Sequence, residues 1–481
     1  MLNLRPVVHL MGLLACSMSA LLCIPALTDV AFHDADWHGF VFVALLTGFA
    51  GAATAIATWP KTSIRLSLRQ AFMVTLIGWV VVGLLAAVPF MSLGVGFADA
   101  VFESVSGITT TGATVLVGLD RMPPGILLWR ALLQWLGGIG IIAMAILILP
   151  LMRVGGMQLF KIESSHKEEK FSNSVYGMVI QLMVIYAVLT VLCGLSYYAL
   201  GMTGFDAVTH AMTTLSTGGY SNHDASFGYF HSLGLQWVAT VFMIAGSVPF
   251  FLYIKAAHGS PKQMFADQQV RGFIALLAIA SVGLAIWLFM TKPMNWFEAL
   301  TLTTFHVTSV VTTTGFVSDD YALWGPGAVG AFLALMYIGG CSGSTSSAIK
   351  IYRHQIIYMV VRAHIKRLAS PNRVIQLSYN GAPVPDDVPY SILAFLAVFV
   401  ATIAVFTTAL CFLGLNVISA YSATVTAITN VGPGLGPIVG PAGNFQPLPE
   451  AAKWILSLAM LAGRLEVLAM LVAFDRDFWR F

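Results

Sequence analysis

The chain has 481 residues, of which 58% are hydrophobic and 9% charged, with a mean hydropathy of +0.84 and a formal net charge of +3. Soluble domains carry about 25% charged residues, so a water-soluble fold is excluded, and apolar stretches from end to end forbid dividing the length into globular domains. The bilayer is the solvent, and backbone polar groups must be satisfied within helices or beside an aqueous cavity.

Apolar runs of about 20 residues, the length of a span, predict helices near 8–28, 38–58, 70–91, 127–150, 176–200, 232–254, 272–291, 325–352, 390–414 and 450–474. In the first, Leu13-Leu14-Ala15-Cys16 looks like a lipoprotein cleavage box, but the run continues to about Leu27 and reads as an uncleaved helix. The five cysteines all lie in apolar stretches and read as small buried hydrophobes.

Alternate connections collect the basic residues. One side holds Arg5, Lys61, Arg65 and Arg69, the 151–174 and 255–271 connections, Lys350 to Arg373, and Arg476 with Arg480. Together these are 19 of the 24 Lys and Arg. By the positive-inside rule both termini are cytoplasmic.

Each external connection after the first contains a segment too polar to span and too apolar for an ordinary loop. Aligned on one glycine, the four cores read Thr-Thr-Thr-Gly112-Ala, Leu-Ser-Thr-Gly218-Gly, Thr-Thr-Thr-Gly315-Phe and Thr-Asn-Val-Gly432-Pro, with the glycines 106, 97 and 117 residues apart. Each interval holds two predicted spans, so the repeat is in register with the hydropathy. A helix of about ten residues that enters the membrane and stops near its middle cannot span. The Thr/Ser/Gly stretch that returns to the same surface exposes carbonyls, which hydrocarbon does not tolerate, so it must be enclosed by protein or face water. Carbonyls aimed at an axis can replace the hydration shell of a dehydrated cation. Glycine relaxes the backbone constraint, and the negative end of the short helix favours a cation. An isolated Thr/Gly cluster would read as a turn or packing patch; four in matched positions predict one cation pore.

Two other classes fit less well. No His-Glu-x-x-His or Gly-x-Ser-x-Gly motif supports an intramembrane enzyme, and no catalytic residue is expected. Secondary transporters with inverted repeats alternate repeat orientation, whereas an even number of spans per repeat sends all four loops in from one side.

With these motifs the sequence resembles the TrkH branch of the Trk–Ktr–HKT superfamily of potassium-translocating membrane subunits, over nearly its whole length. The supporting residues are Thr-Thr-Thr-Gly112-Ala-Thr, Ser216-Thr-Gly218-Gly-Tyr-Ser, Thr-Thr-Thr-Gly315-Phe and Asn430-Val-Gly432-Pro-Gly, plus two helices ahead of the first repeat that smaller relatives lack. The expected fold is an all-α polytopic membrane protein with four pseudo-symmetric helix–pore loop–helix repeats around one pore. The two additional helices occupy 1–68, and the repeats 69–174, 175–271, 272–385 and 386–481. The resemblance implies K+ as the transported ion, a homodimer with one pore per protomer, a cytosolic nucleotide-binding regulatory subunit of the TrkA type, and residence in the bacterial inner membrane. Membrane lipid is the other expected partner; no bound cofactor and no nucleic acid are expected. The expected ion-contacting residues are Thr110, Thr111 and Gly112; Thr217, Gly218 and Gly219; Thr313, Thr314 and Gly315; and Asn430, Val431 and Gly432.

The inner helix of the third repeat is interrupted by Gly339, Gly340, Cys341, Ser342, Gly343, Ser344, Thr345, Ser346 and Ser347. Gly and Ser are poor helix formers, so this run is expected to unwind and cross the pore; a close helix-packing surface is the alternative. Arg464 lies 14 residues past Glu450, as Gly339 does past Gly325. At 1.5 Å per residue both sit about 21 Å from their helix starts. A charge at that depth needs partners, and the loop offers carbonyls. The resemblance likewise implies that loop and arginine form the permeation barrier.

Asp99, Glu103, Asp120, Asp206, Asp224, Glu298, Asp319 and Asp320 are read as helix caps or solvated loop charges at the external mouth, with cation attraction as the alternative. His210 and His306, in equivalent places in two pore helices, are read as structural hydrogen-bonding groups. The basic connections 151–174, 255–271 and 350–376 offer a docking face for the cytosolic subunit or for anionic lipid.

Overall fold

The structure, a computed structural model, describes residues 3–60, 66–147 and 175–480. Lys61, Arg65 and the 151–174 connection lie outside the described residues.

Two N-terminal helices, Arg5–Ala31 and Trp37–Ala57, pack as a hairpin. Small residues allow the approach: a Cβ on Gly12 would lie 2.8 Å from the Ala55 nitrogen, and one on Gly51 2.8 Å from the Cys16 nitrogen. The chain then runs four times through an outer helix, a short pore helix, an extended return and an inner helix. The outer helices are Leu68–Ala87, Val175–Ala199, Gln268–Thr291 and Asp387–Phe412. The pore helices are Phe97–Ile108, Gly204–Leu215, Trp296–Val311 and Val417–Thr429. Among the described residues, seven helices are long and apolar enough to cross a membrane, or eight if one bent pair counts as a span. The protein is a multi-pass membrane protein.

The pore helices, 12 to 16 residues long, are too short to span. Thr203, Asn295 and Asn416 cap three of them by accepting the backbone N–H of Asp206, Glu298 and Ser419. Asp99, Asp206 and Glu298 fall in the first turns, where the helix dipole favours a carboxylate. The first inner helix, Pro124–Leu147, is 72% buried over its best window, against 17–39% for the other six long helices, so it lies inside the bundle.

The inner helices of repeats two, three and four are broken. The expected 232–254 span is two helices, Leu233–Ser247 and Phe250–Ala257, bent by 91°. Pro249 sits at the break, where it lacks an N–H and its ring crowds the preceding turn. The expected 325–352 span is helical only over Pro326–Leu335 and resumes as Ile351–Ala369, with the predicted loop between. In the last repeat Glu450–Arg464 is separated from Val467–Val472 by a break at Leu465–Glu466, where Glu466 takes a left-handed φ of 63°. A two-stranded hairpin, Ser378–Tyr379 with Ala382–Pro383, precedes the last outer helix.

Candidate ion pathway and barrier

Each pore helix ends in the same backbone device. Thr110, Thr217, Thr313 and Asn430 adopt left-handed φ values of 52°, 51°, 59° and 55°. The residue after each closes a six-residue turn: Thr111 N to Ser106 O, Gly218 N to Thr213 O, Thr314 N to Ser309 O and Val431 N to Thr426 O, all 2.8–3.0 Å. The next residue is a positive-φ glycine: Gly112, Gly219, Gly315 and Gly432. The second repeat is therefore in register through Gly219, one residue beyond the Gly218 on which the sequences align. A Gly-Gly pair permits either alignment; only the backbone angles separate them.

The four returns meet head to tail. A Cβ on Gly112 would overlap the Gly218 carbonyl oxygen, one on Gly219 the Thr314 oxygen, and one on Gly315 the Val431 oxygen. One on Gly432 would lie 2.7 Å from the Thr111 oxygen, closing the ring in the order one, two, three, four. All four glycines line one cavity.

Three of the returns are braced from behind by the pore-helix residue nine before the glycine, which is Glu103, His210 or His306; Ala423 occupies that position in the fourth repeat. Glu103, expected among the solvated external acids, is fully buried. It accepts the Thr114 hydroxyl at 3.0 Å and the Val115 N–H at 2.9 Å, and pairs with Arg130 Nε at 2.8 Å. Arg130 also donates to the Ser221 carbonyl at 2.7 Å and stacks 4.0 Å over the Tyr220 ring, tying the first return to the second. His210 Nδ1 donates to the Asp206 carbonyl and Nε2 accepts from the Ser221 hydroxyl, both at 2.9 Å. His306 Nε2 accepts the Ser318 and Asp319 N–H groups at 3.2 and 3.3 Å. Both histidines are the structural groups expected. Ala423 has no such group; its neighbour Ser422 donates to the Leu435 carbonyl at 2.6 Å instead. Gln134 donates to the Gly218 carbonyl at 2.6 Å and accepts the Tyr220 N–H at 3.0 Å.

Sequence reading missed Arg130 and Gln134 as bracing groups. Counting nine residues back from the corrected glycine would have exposed the Glu/His/His pattern.

At the far end of the cavity His223, stacked on Tyr229 at 3.5 Å, bridges Asp120 of the first repeat at 2.6 Å and Asp206 of the second at 3.4 Å. Burial opposes its charge, but the hydrogen bonds to Asp206 and Asp120 outweigh that and hold the imidazole above its ordinary value of 6.5. Asp224 accepts the Gly118 and Leu119 N–H groups and Asp320 that of Ala322, as turn-capping acids do.

At the other end of the returns lies the interrupted segment. Its stems are laced together, Gly339 N to Ile349 O at 2.9 Å and Ile351 N to Gly340 O at 3.1 Å. The loop touches the left-handed residues of two returns: Ser347 N–H donates to the Thr313 hydroxyl at 2.9 Å, and the Thr217 hydroxyl donates to that of Thr345 at 3.1 Å. Arg464, 2% exposed, reaches the loop as expected, donating to the Thr345 carbonyl at 2.9 Å and the Ser347 hydroxyl at 2.6 Å. It also reaches Gly137 O at 3.4 Å. Glu466 pairs with Arg353 at 2.7 Å just beyond the loop, and the Arg353 guanidinium lies 3.8 Å from the Phe395 ring centroid. Lys350 donates back to the Ser346 carbonyl.

Four returns closed around one cavity, inside a bundle of spanning helices, are the architecture of a membrane transport protein rather than an enzyme. The family model TrkH, described as a cation transport protein, matches residues 40–479. The Trk system potassium uptake protein TrkI of Halomonas elongata is 42% identical over 479 residues, covering 99% of this chain and 97% of that one. The Trk system potassium uptake protein TrkH of Escherichia coli is 35% identical, with both chains covered completely. The crystal structure of the potassium transporter TrkH from Vibrio parahaemolyticus superposes with a TM-score of 0.92 at 32% identity, covering 100% of both chains. The chain belongs to the TrkH family.

Proposed function

We propose that this protein takes up potassium across the bacterial cytoplasmic membrane through a filter lined by backbone carbonyls of its four returns. The observation that carries the reading is the closed ring in which each positive-φ glycine abuts the carbonyl oxygen of the next repeat. Such close approach leaves no room for a side chain, and oxygens gathered on one axis can stand in for the water a cation sheds. Thr110–Gly112, Thr217–Gly219, Thr313–Gly315 and Asn430–Gly432 contribute these oxygens. Gly218 O already accepts a hydrogen bond from Gln134, which leaves one lone pair for an ion. The four positions at that level are unequal, so the filter discriminates less sharply than one with four identical strands.

The Gly339–Ser347 loop and Arg464 form the barrier beneath the filter. The loop fills the path, and the guanidinium opposes a cation electrostatically. Each protomer of a homodimer carries its own pore, both termini are cytoplasmic, and a TrkA-like cytosolic nucleotide-binding subunit controls the loop. The basic helix Ile351–Ala369, which continues directly from the loop, offers that subunit a docking face. Tracer uptake into proteoliposomes, with potassium, rubidium and sodium competing at equal concentration, tests the reading. Potassium and rubidium should compete strongly and sodium weakly. Equal competition by sodium would remove the filter assignment, and uptake that requires a proton or sodium gradient would replace the channel-like pathway with a coupled one.

A further inference from the structure

The break in the second inner helix and the loop of the third repeat complete each other's hydrogen bonding. In an unbroken helix Phe250 N–H would donate to Gly246 O, and Phe251 N–H to Ser247 O. At the 91° bend Phe250 N–H, Gly246 O and Ser247 O turn to the loop instead. Phe250 N–H donates to Gly343 O at 2.9 Å, Gly246 O accepts Thr345 N–H at 3.2 Å and its hydroxyl at 2.9 Å, and Ser247 O accepts Cys341 N–H at 3.0 Å. The Ser346 hydroxyl donates to that of Ser247 at 2.7 Å. Pro249 leaves Ala245 O without its helical donor, and the Tyr253 hydroxyl supplies one at 2.8 Å.

We infer that Gly246–Phe250 is the seat of the barrier loop, and that seat and loop exchange partners when the barrier opens. This inference rests on the barrier reading given above. A loop that left while the helix stayed bent would strand Gly246 O, Ser247 O and Phe250 N–H in the membrane interior, which is costly. Straightening the helix pairs Phe250 N–H with Gly246 O and Phe251 N–H with Ser247 O, so bent-and-seated and straight-and-vacated are the two arrangements that satisfy these helix groups. Departure of the loop therefore swings Phe250–Ala257 and the basic connection 255–271 that follows it. Motion of that connection in turn unseats the loop. Pro249 positions the barrier by favouring the bent state, and Ser247 does so by holding Ser346.

Two experiments on the full-length protein in proteoliposomes test this. In Ser247→Cys/Ser346→Cys, copper-phenanthroline oxidation should form a cross-link and cut potassium flux at least tenfold, with dithiothreitol restoring it; wild type under the same oxidant is the control. A cross-linked protein that conducts like its reduced form, or a pair that does not cross-link, would overturn the seat. Pro249→Ala restores the missing N–H and should raise flux several-fold, whereas a residue needed only for folding would lower it. Arg464→Ala separates the two ideas. Raised flux in Arg464→Ala with unchanged or reduced flux in Pro249→Ala leaves the barrier standing and sinks the seat. Unchanged flux in both sinks the two together.

Discussion

Replacing Arg464 by Ala removes two effects that act in the same direction. The first is attachment of the loop. Arg464 makes two short bonds to it, at 2.9 and 2.6 Å, and bonds from a charged donor contribute about 1.5–3 kcal/mol each. Burying a guanidinium costs several kcal/mol, so the net hold on the loop is about one bond's worth. That is roughly a tenfold to hundredfold shift in the closed population, at 1.4 kcal/mol per tenfold. The second effect is electrostatic: a unit charge at about 4 Å opposes a cation by about 4 kcal/mol at an effective dielectric of 20. Potassium uptake by Arg464→Ala, at matched incorporation in proteoliposomes and without a cytosolic partner, should therefore exceed wild type by at least tenfold. Arg464→Lys keeps the charge but loses the planar fork that reaches the loop through Nη1 and Gly137 O through Nη2, so it should fall between the two. Flux in Arg464→Ala equal to or below wild type would refute the reasoning.

Gly112→Ser or Gly315→Ser pushes a Cβ into the carbonyl of the next repeat. The potassium-to-sodium uptake ratio should drop about tenfold, corresponding to ~1.4 kcal/mol of lost discrimination; an unchanged ratio would take that glycine out of the filter. Glu103→Ala leaves Arg130 charged, buried and unpaired, a loss of about 3–5 kcal/mol. Its thermal midpoint in detergent should fall, and Arg130→Met in the same chain should recover part of the loss. The His223 pair with Asp120 and Asp206 stabilises the fold fully below the ordinary histidine value of 6.5, and that contribution disappears as pH rises through the elevated folded-state value. Thermal stability of the wild type should decline over that window, and His223→Gln should flatten the decline.

Hydropathy and spacing carried the helices because a span announces itself by length, and the four returns announce themselves by Thr and Gly in apolar surroundings. The loop at Gly339–Ser347 was legible for the same reason: nine consecutive small or polar residues are poor helix formers. Less visible were features that depend on which groups face each other. The bend at Pro249 hides in an otherwise apolar run, because Ser247-Val248-Pro249 does not lower hydropathy enough to interrupt a predicted span. Glu103 reads as one more acid near the mouth until Arg130, 27 residues later, is known to reach it. The register of the second return escaped because Gly218 and Gly219 are interchangeable in composition and differ only in backbone angle.

Joining four repeats in one chain lets equivalent positions diverge, and the proposed barrier depends on that freedom. Four identical subunits with an arginine at the depth of Arg464 would crowd four guanidinium groups around one axis, repelling one another as well as the ion. Four copies of the Gly339–Ser347 loop would compete for the same space. Here one loop comes from repeat three, the broken helix that hydrogen-bonds it from repeat two, and the guanidinium that bonds it from repeat four. Among the described residues the first inner helix is continuous and largely buried, with Gly137 O within reach of Arg464 and Gln134 holding the second return. The same division appears behind the returns, where Glu103, His210 and His306 brace three of them through different chemistry and Ser422 serves the fourth. Along the returns fourfold symmetry is kept in the left-handed residue, the six-residue turn and the glycine two positions later, where the proposed filter needs it. Behind and beneath the returns the repeats hold different side chains and different breaks.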